Sequence, residues 1–315
     1  MVKIFIDGKE GTTGLKIYER FSNRKDIEIL TIDEEFRKIP EERAKMINAS
    51  DFTFLCLPDA AAIESAKLCT NPKTVIIDAS TAHRTNPDWA YGFPELEPAF
   101  REKIMKSNRI AVPGCYASGS IAILYPLIKS GILPKDYPVV IHAVSGYSGA
   151  GKKAIALYES QNRNPELDSP RLYALSQHHK HLPEIQKISG LEFEPIFNPY
   201  VCDYYQGMTV SIGFHTRLLN KNVKALEVLE MFKNHYKNTN FIKVADKLNG
   251  EDFLQEQFIP ANTLAGTNNM QIFVCGNDER IVVTSRFDNL GKGASGAAVQ
   301  CLNIRMGIDE TEGLK

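Results

Sequence analysis

The 315-residue sequence lacks several features that would each have named a class of protein. No run approaches the ~20 apolar residues that a membrane-spanning helix needs. The first eight residues, Met1 to Gly8, reach Asp7 and Gly8 too soon for the apolar core of a signal peptide. Charge of one sign is not in excess: the formal net charge is -1, so the basic surplus of a nucleic-acid binder is missing. There is no internal repeat and no low-complexity tract. The six cysteines (Cys56, Cys69, Cys115, Cys202, Cys275 and Cys301) are scattered with no C-x-x-C pair, which argues against a thiolate zinc site. Scattered thiols without a leader fit a reducing compartment, so a cytoplasmic chain with no membrane, nucleic-acid or metal partner is expected.

What is present is an ordinary globular composition, with 43 % hydrophobic and 24 % charged residues. The length suits two domains. Up to Cys115 the sequence alternates short apolar runs with helical patterns. Lys3-Ile6, Ile27-Ile32, Phe52-Leu57, Val75-Ile77 and Ile110-Val112 read as strands buried on both faces, and Thr13 to Phe21 as a helix. Asp59 sits where it would cap a second helix. This predicts an α/β fold with a doubly wound parallel sheet. Beyond Cys115 the pattern changes. Gly119 to Lys129 is helical, and Val139-Ala143 leads into a Gly/Ser-rich turn at Ser145-Gly151. Met208-Phe214 reads as a strand and Leu226-Phe232 as a helix. Met270-Cys275 and Arg280-Arg286 form a hairpin, which predicts an α+β second domain. Ala294 to Met306 has helical spacing.

Asp7-Gly8-Lys9-Glu10-Gly11-Thr12-Thr13-Gly14 places three glycines between the first strand and the first helix. Glycine permits positive φ and close approach of a pyrophosphate, which helix N-terminal amides then hold. The G-x-x-G-x-x-G spacing differs from the commoner dinucleotide fingerprint, and a bare turn is the competing reading. The strand before and the helix after favour a dinucleotide. Further on, Asp33 would suit the ribose 2′-hydroxyl of NAD, whereas Arg37 and Lys38 would suit a 2′-phosphate; spacing leaves both open.

Val112-Pro113-Gly114-Cys115-Tyr116-Ala117-Ser118 puts a cysteine at a forced turn just before a helix. Helix-start amides and the helix dipole stabilise a thiolate, so Cys115 is expected to have a lowered pKa and to act as a nucleophile. The other five cysteines read as buried packing. Three of the seven histidines fall in Ser176-Gln177-His178-His179-Lys180-His181-Leu182-Pro183-Glu184. Imidazole is the natural proton partner for a thiolate. If this segment is extended, His179 and His181 share one face. Proline biases the residue before it towards an extended shape, which favours His181 as acid-base and His179 as a substrate contact. A metal site using Glu184 is the rival, without an evident third ligand. His83, His142, His215 and His235 read as structural or exposed.

Taken in order, the glycine loop, Asp78-Ala79-Ser80-Thr81-Ala82-His83-Arg84, the Pro-Gly-Cys-Tyr-Ala-Ser turn, Ser145 to Lys152, His179 to Ile185 and Asp288 to Ala294 resemble the short type of N-acetyl-gamma-glutamyl-phosphate reductase. The resemblance covers nearly the whole chain. It implies an NADP-binding Rossmann domain at 1–115, a catalytic and dimerisation domain at 116–291, and a C-terminal helix at 292–315 that returns to the first domain. It also implies a homodimer or homotetramer acting on a small acyl phosphate. On this sequence it makes Cys115 the nucleophile, with His179 and His181 as acid-base and substrate contacts. Gly8, Gly11, Thr12, Thr13 and Gly14 would hold the phosphates of NADP(H). Ser148, Gly149 and Asn289 lie in loops expected to close on the cofactor, and Arg84, Ser145 and Glu184 are expected at the substrate. One departure is Lys180, where the family commonly has arginine. The enzymatic alternatives are aspartate-semialdehyde dehydrogenase, against which the histidine motif argues, and a lysine-pathway reductase with a carrier-bound substrate. A nucleotide-sensing Rossmann protein without catalysis is the alternative from another class; its Cys115 would not react quickly with iodoacetamide.

Overall fold

The computed structural model describes residues 1–251 and 257–315. The chain divides into two units, 1–114 together with 294–315, and 115–293. In the first unit, strands Val2–Asp7 (β1), Ile27–Leu30 (β2), Phe52–Leu55 (β3), Val75–Asp78 (β4), Ala90–Tyr91 (β5) and Arg109–Ala111 (β6) form one sheet. All its pairings are parallel, in the order β2-β1-β3-β4-β6-β5. Helices Thr12–Phe21 (α1), Pro40–Ala49 (α2), Asp59–Leu68 (α3) and Pro98–Lys106 (α4) connect the strands. Neighbouring residues on one strand face opposite layers: Ile77 packs with Ile17, Phe21 and Ile104, while Ile76 packs with Leu55 and Ala62. The sheet is thus doubly wound. Asp59 does not cap α3 but opens it, with Pro58 at the cap position. Its carboxylate instead accepts a hydrogen bond of 2.9 Å from the Thr81 N–H.

The second unit begins with Cys115–Lys129 (α5) and contains Lys152–Tyr158 (α6), Leu182–Ser189 (α7) and Ala225–Tyr236 (α8). Its strands are Val140–Gly146 (β7), Arg171–Leu172 (β8), Ile196–Cys202 (β9), Met208–His215 (β10), Ile242–Val244 (β11), Met270–Gly276 (β12) and Arg280–Phe287 (β13). They form a mixed sheet in the order β11-β12-β13-β10-β7-β9-β8, with the expected β12-β13 hairpin antiparallel. One face buries Ile141, Phe197, Ile212 and Val283, with α5 packed on β10 and β13 and α8 on β11 and β12. The other face carries exposed His142, Ile196, Gly213 and Val282 on β7, β9, β10 and β13, with Gly213 directly opposite Val282. Cys115 therefore belongs to the second unit, not to the first as the motif boundary suggested. The reason is that it is the first residue of α5, whose buried face runs from Tyr116 through Leu127. A Cβ at Gly119 would lie 2.7 Å from Val210 and 2.8 Å from Phe287, so glycine there lets α5 settle onto the sheet.

The last helix, Gly296–Met306 (α9), is part of the first unit, and Val299 and Leu302 join the core of Ile4, Ile77 and Ile110. It is preceded by a π-helical turn at Gly291–Ser295. Among the described residues, no helix is long and apolar enough to cross a membrane.

Candidate active site

The dinucleotide loop leaves β1 at its C-terminal end, where β2 and β3 flank it on either side, and parallel sheets bind ligands at such a reversal of strand order. Gly8 has φ +87°, and a Cβ there would fall 2.4 Å from the Cys56 carbonyl oxygen. A Cβ on Gly14 would meet the Gly8 carbonyl at 2.5 Å, so both glycines are required by the turn. The Gly11 N–H donates to the Gly8 carbonyl at 3.0 Å. Thr12 and Thr13 are the first residues of α1, the helix whose N-terminus the turn presents. Beneath the loop, the Asp7 carboxylate is buried and receives Arg43 of α2 at 2.9 Å and Ser65 of α3 at 2.6 Å. Beside it lies a cavity of about 420 Å³ lined by Gly8, Lys9, Thr31, Glu34, Arg37 and Lys38, among others. Asp33 is not in its lining.

In the second unit, α5 starts at Cys115 and stacks Tyr116 into an aromatic nest. The Tyr116 ring lies 5.2 Å from Phe197 and 6.0 Å from both His179 and His181, centroid to centroid. The two imidazoles are 4.7 Å apart and nearly perpendicular. Burial raises the Tyr116 hydroxyl's pKa well above its usual range, with Tyr173 and Cys115 adding to the shift, and the hydroxyl bonds Tyr173 and Ser145. Tyr173 is pushed up in the same way, by burial first.

The histidine segment is not extended. His181 has φ -86° and ψ -12° and caps α7, and the Leu182 N–H closes a turn on the His179 carbonyl at 2.9 Å. The segment therefore does not alternate as a strand would, because Pro183 sits in the first turn of α7, where no backbone N–H is needed. The turn nevertheless directs both rings to Tyr116 and leaves His178 and Lys180 exposed. The His181 N–H donates to His179 Nδ1 at 3.2 Å, which leaves the proton of a neutral His179 ring on Nε2. Glu184 is wholly buried in the first turn of α7.

Ser145, Ser148, Gly149 and Asn289 come together. The Asn289 amide donates to Ser148 Oγ at 3.0 Å and its oxygen accepts the Gly207 N–H at 2.7 Å. A Cβ on Gly149 would lie 3.0 Å from the Asn289 amide and 3.3 Å from Ser145 Oγ. At the far end of this loop, a Cβ on Gly293 would stand 2.9 Å from the Cys115 Cβ. Arg84 lies in the first unit, where its guanidinium donates to the carbonyls of Val112 at 2.8 Å and Ala79 at 3.0 Å. These bonds tie the ends of β4 and β6. His83 stacks on Trp89 at 3.9 Å and contacts Asp78 at 2.7 Å, so it is structural. Among the described residues, no group of three metal-ligating side chains occurs, so the Glu184-centred metal reading has no cluster behind it.

Residues 3–104 match the family described as semialdehyde dehydrogenase, NAD binding domain, and residues 115–289 match semialdehyde dehydrogenase, dimerisation domain. The chain is 45 % identical to N-acetyl-gamma-glutamyl-phosphate reductase 2 of Nostoc sp., covering 99 % of both chains. The chain belongs to the N-acetyl-gamma-glutamyl-phosphate reductases. A reductase of the same name from Pseudomonas putida is 43 % identical over 98 % of each chain. Membership makes this reductase an NADP(H)-dependent oxidoreductase, its first unit being the dinucleotide-binding domain. Aspartate semialdehyde dehydrogenase II of Vibrio cholerae superposes with a TM-score of 0.71 over 98 % of the chain. At 18 % identity that likeness is one of fold. Sequence reasoning missed Arg43 and Tyr173, which no motif marks, whereas Gly293 lies in the Asp288 to Ala294 motif that the sequence singled out.

Proposed function

We propose that the chain reduces N-acetyl-gamma-glutamyl phosphate to N-acetylglutamate semialdehyde with NADPH, through a thioester on Cys115, in the arginine pathway of the cytoplasm. The observation that carries this reading is Cys115 at the first residue of a 15-residue helix, followed directly by the tyrosine on which two histidines converge. The α5 N-terminus favours the thiolate, which attacks the acyl carbon as the carbon–oxygen bond to phosphate breaks. The same backbone amides stabilise the oxyanion that forms. Gly8, Gly11, Thr12, Thr13 and Gly14 form the phosphate cradle, and the bound dinucleotide supplies a hydride. Reduction of the thioester gives a thiohemiacetal oxyanion, protonated by His181. Return of that proton to His181 lets the carbon–sulfur bond break, giving aldehyde and thiolate. His179, with its proton on Nε2, is suited to donate a hydrogen bond to the substrate. Ser145 joins it on the substrate side; Ser148 and Gly149 serve the cofactor, with Asn289 holding them.

The NADPH choice is supported by the end of β2. Dinucleotide domains that prefer NAD place an acidic residue there; this chain has Thr31 at that point, and Glu34, an acidic residue on the cavity, is paired at 3.3 Å with Arg37, which lines it together with Lys38. Arg84, Lys180 and Glu184 add nothing to the scheme beyond framing it. The exposed face of the second sheet is suited to a homodimer of these chains. The function is tested by phosphate-dependent reduction of NADP with N-acetylglutamate semialdehyde, run on the wild type and on Cys115→Ser. The serine variant should bind NADPH but lose turnover; retention of a tenth of the activity sinks the covalent role.

A further inference from the structure

Asp288 follows β13 and is wholly buried. One carboxylate oxygen accepts the Gly266 N–H at 2.6 Å and the side-chain amide of Gln206, and the other accepts the Leu290 N–H at 2.9 Å. The Gly291 N–H also bonds the carboxylate. Its main-chain carbonyl accepts the Gly293 N–H at 2.9 Å. Three separate segments, around 206, 266 and 290, are therefore gathered by a single side chain.

Two of them, around 206 and 290, lead towards the reacting groups. The Tyr204 and Tyr205 carbonyls accept the Tyr147 and Ser148 N–H groups at 2.9 and 3.0 Å. Gly207 holds Asn289, and Asn289 holds Ser148. Gly293 rests on Cys115 with no room for a methyl group. A buried carboxylate that receives several N–H bonds is strongly directional, and replacing one acceptor oxygen by a donor leaves buried N–H groups unmatched.

We propose that Asp288 is the positioning residue of the nucleophile: by locking the 288–293 turn it fixes Gly293 against Cys115, and by gathering the 206 segment it fixes Ser148. It touches no reacting atom. The inference rests on Cys115 being the nucleophile.

The test is Asp288→Asn in the full chain. The amide has nearly the same shape but faces donors on both sides, Gly266 and Gln206 on one and Leu290 on the other. Turnover should fall by ~10- to ~100-fold, the range that small misplacements of reacting groups produce. The rate at which iodoacetamide alkylates Cys115 should change several-fold. The double variant Gln206→Glu/Asp288→Asn restores an acceptor opposite the new amide and should recover part of both losses. A folded Asp288→Asn protein with turnover and alkylation near wild type overturns the proposal. So does lost turnover with unchanged alkylation, because the effect then bypasses Cys115. If Asp288→Asn does not fold, Gln206→Leu removes one of the bonds and should lower both readouts together; no change in either refutes the role. Failure of the underlying chemistry reads differently, as activity surviving in Cys115→Ser.

Discussion

Gly293→Ala is the sharpest perturbation of the nucleophile that leaves every polar group in place. The added methyl would sit 2.9 Å from the Cys115 Cβ, 3.1 Å from the Asp288 carbonyl oxygen and 3.3 Å from the Cys115 Cα. Two of these neighbours are backbone atoms and the third is the first atom of a short side chain, so no flexible end can swing aside. Overpacking of this kind costs about 1–3 kcal/mol. For a unit of this size, each kcal/mol lowers Tm by about 2–4 °C, which gives a fall of about 2–12 °C. Activity should suffer more than stability, because the atom that must yield belongs to the nucleophile itself. A displacement near 1 Å reduces turnover by ~100-fold. The assays are steady-state kinetics with acyl phosphate and NADPH, thermal melts, and NADPH fluorescence titration. Cofactor affinity should change less than turnover, since the phosphate cradle of Gly8 to Gly14 lies in the other unit. A Gly293→Ala enzyme with turnover within twofold of wild type would show that the turn does not set the position of Cys115.

Three further outcomes are expected. His181→Asn should reduce turnover by ~100- to ~10,000-fold, as loss of an acid-base group does. His179→Asn should act mainly on the Michaelis constant; the reverse pattern exchanges their roles, and two near-neutral variants remove both from the mechanism. Arg37→Ala should lose discrimination in favour of NADPH by ~10- to ~150-fold, the scale of one charge-assisted hydrogen bond of about 1.5–3 kcal/mol; unchanged kcat/KM for both cofactors would exclude it from the 2′-phosphate site. Burial pushes the thiols of Cys56, Cys202 and Cys275 upwards. Brief iodoacetamide treatment at neutral pH should therefore leave these three unmodified while Cys115 is labelled, as read by peptide mass spectrometry.

The sequence was most legible where local chemistry and fold agree. The apolar runs before Cys115 became β1 to β4 and β6, and the glycine turn sits at the end of β1 because only glycine tolerates the nearness of the Cys56 carbonyl. It was least legible where a tertiary partner decides. Helix α2 buries only Arg43 and Ile47, so it offers no apolar stripe to read, yet Arg43 is what holds Asp7. Strand β9 contains Pro199, which argues against a strand. The chain tolerates it because its neighbour on one side, β8, has only two residues. The histidine segment misled for a related reason: Leu182-Pro183 reads as extended in isolation, but Pro183 is placed in the first turn of α7. The π-helical turn at Gly291–Ser295 has no sequence rule at all; it follows from the bonds that Asp288 makes.

The discontinuity of the dinucleotide domain has a consequence during synthesis. Residues 1–114 leave the ribosome first, but Val299, Leu302 and Ile304, which complete their core, follow only after the whole of 115–293. At about 5–20 residues per second, that interval is roughly 9–36 s. Through it Ile4, Ile77 and Ile110 have no α9 to cover them, and by its end every strand of the second unit up to β13 has been made. Vectorial synthesis thus reverses the order of the domains: the unit that carries the nucleophile is complete before the unit that holds the cofactor. When the last residue of the second unit has been made, the core of the first still lacks Val299, Leu302 and Ile304, with only α1 and α4 on that face of its sheet.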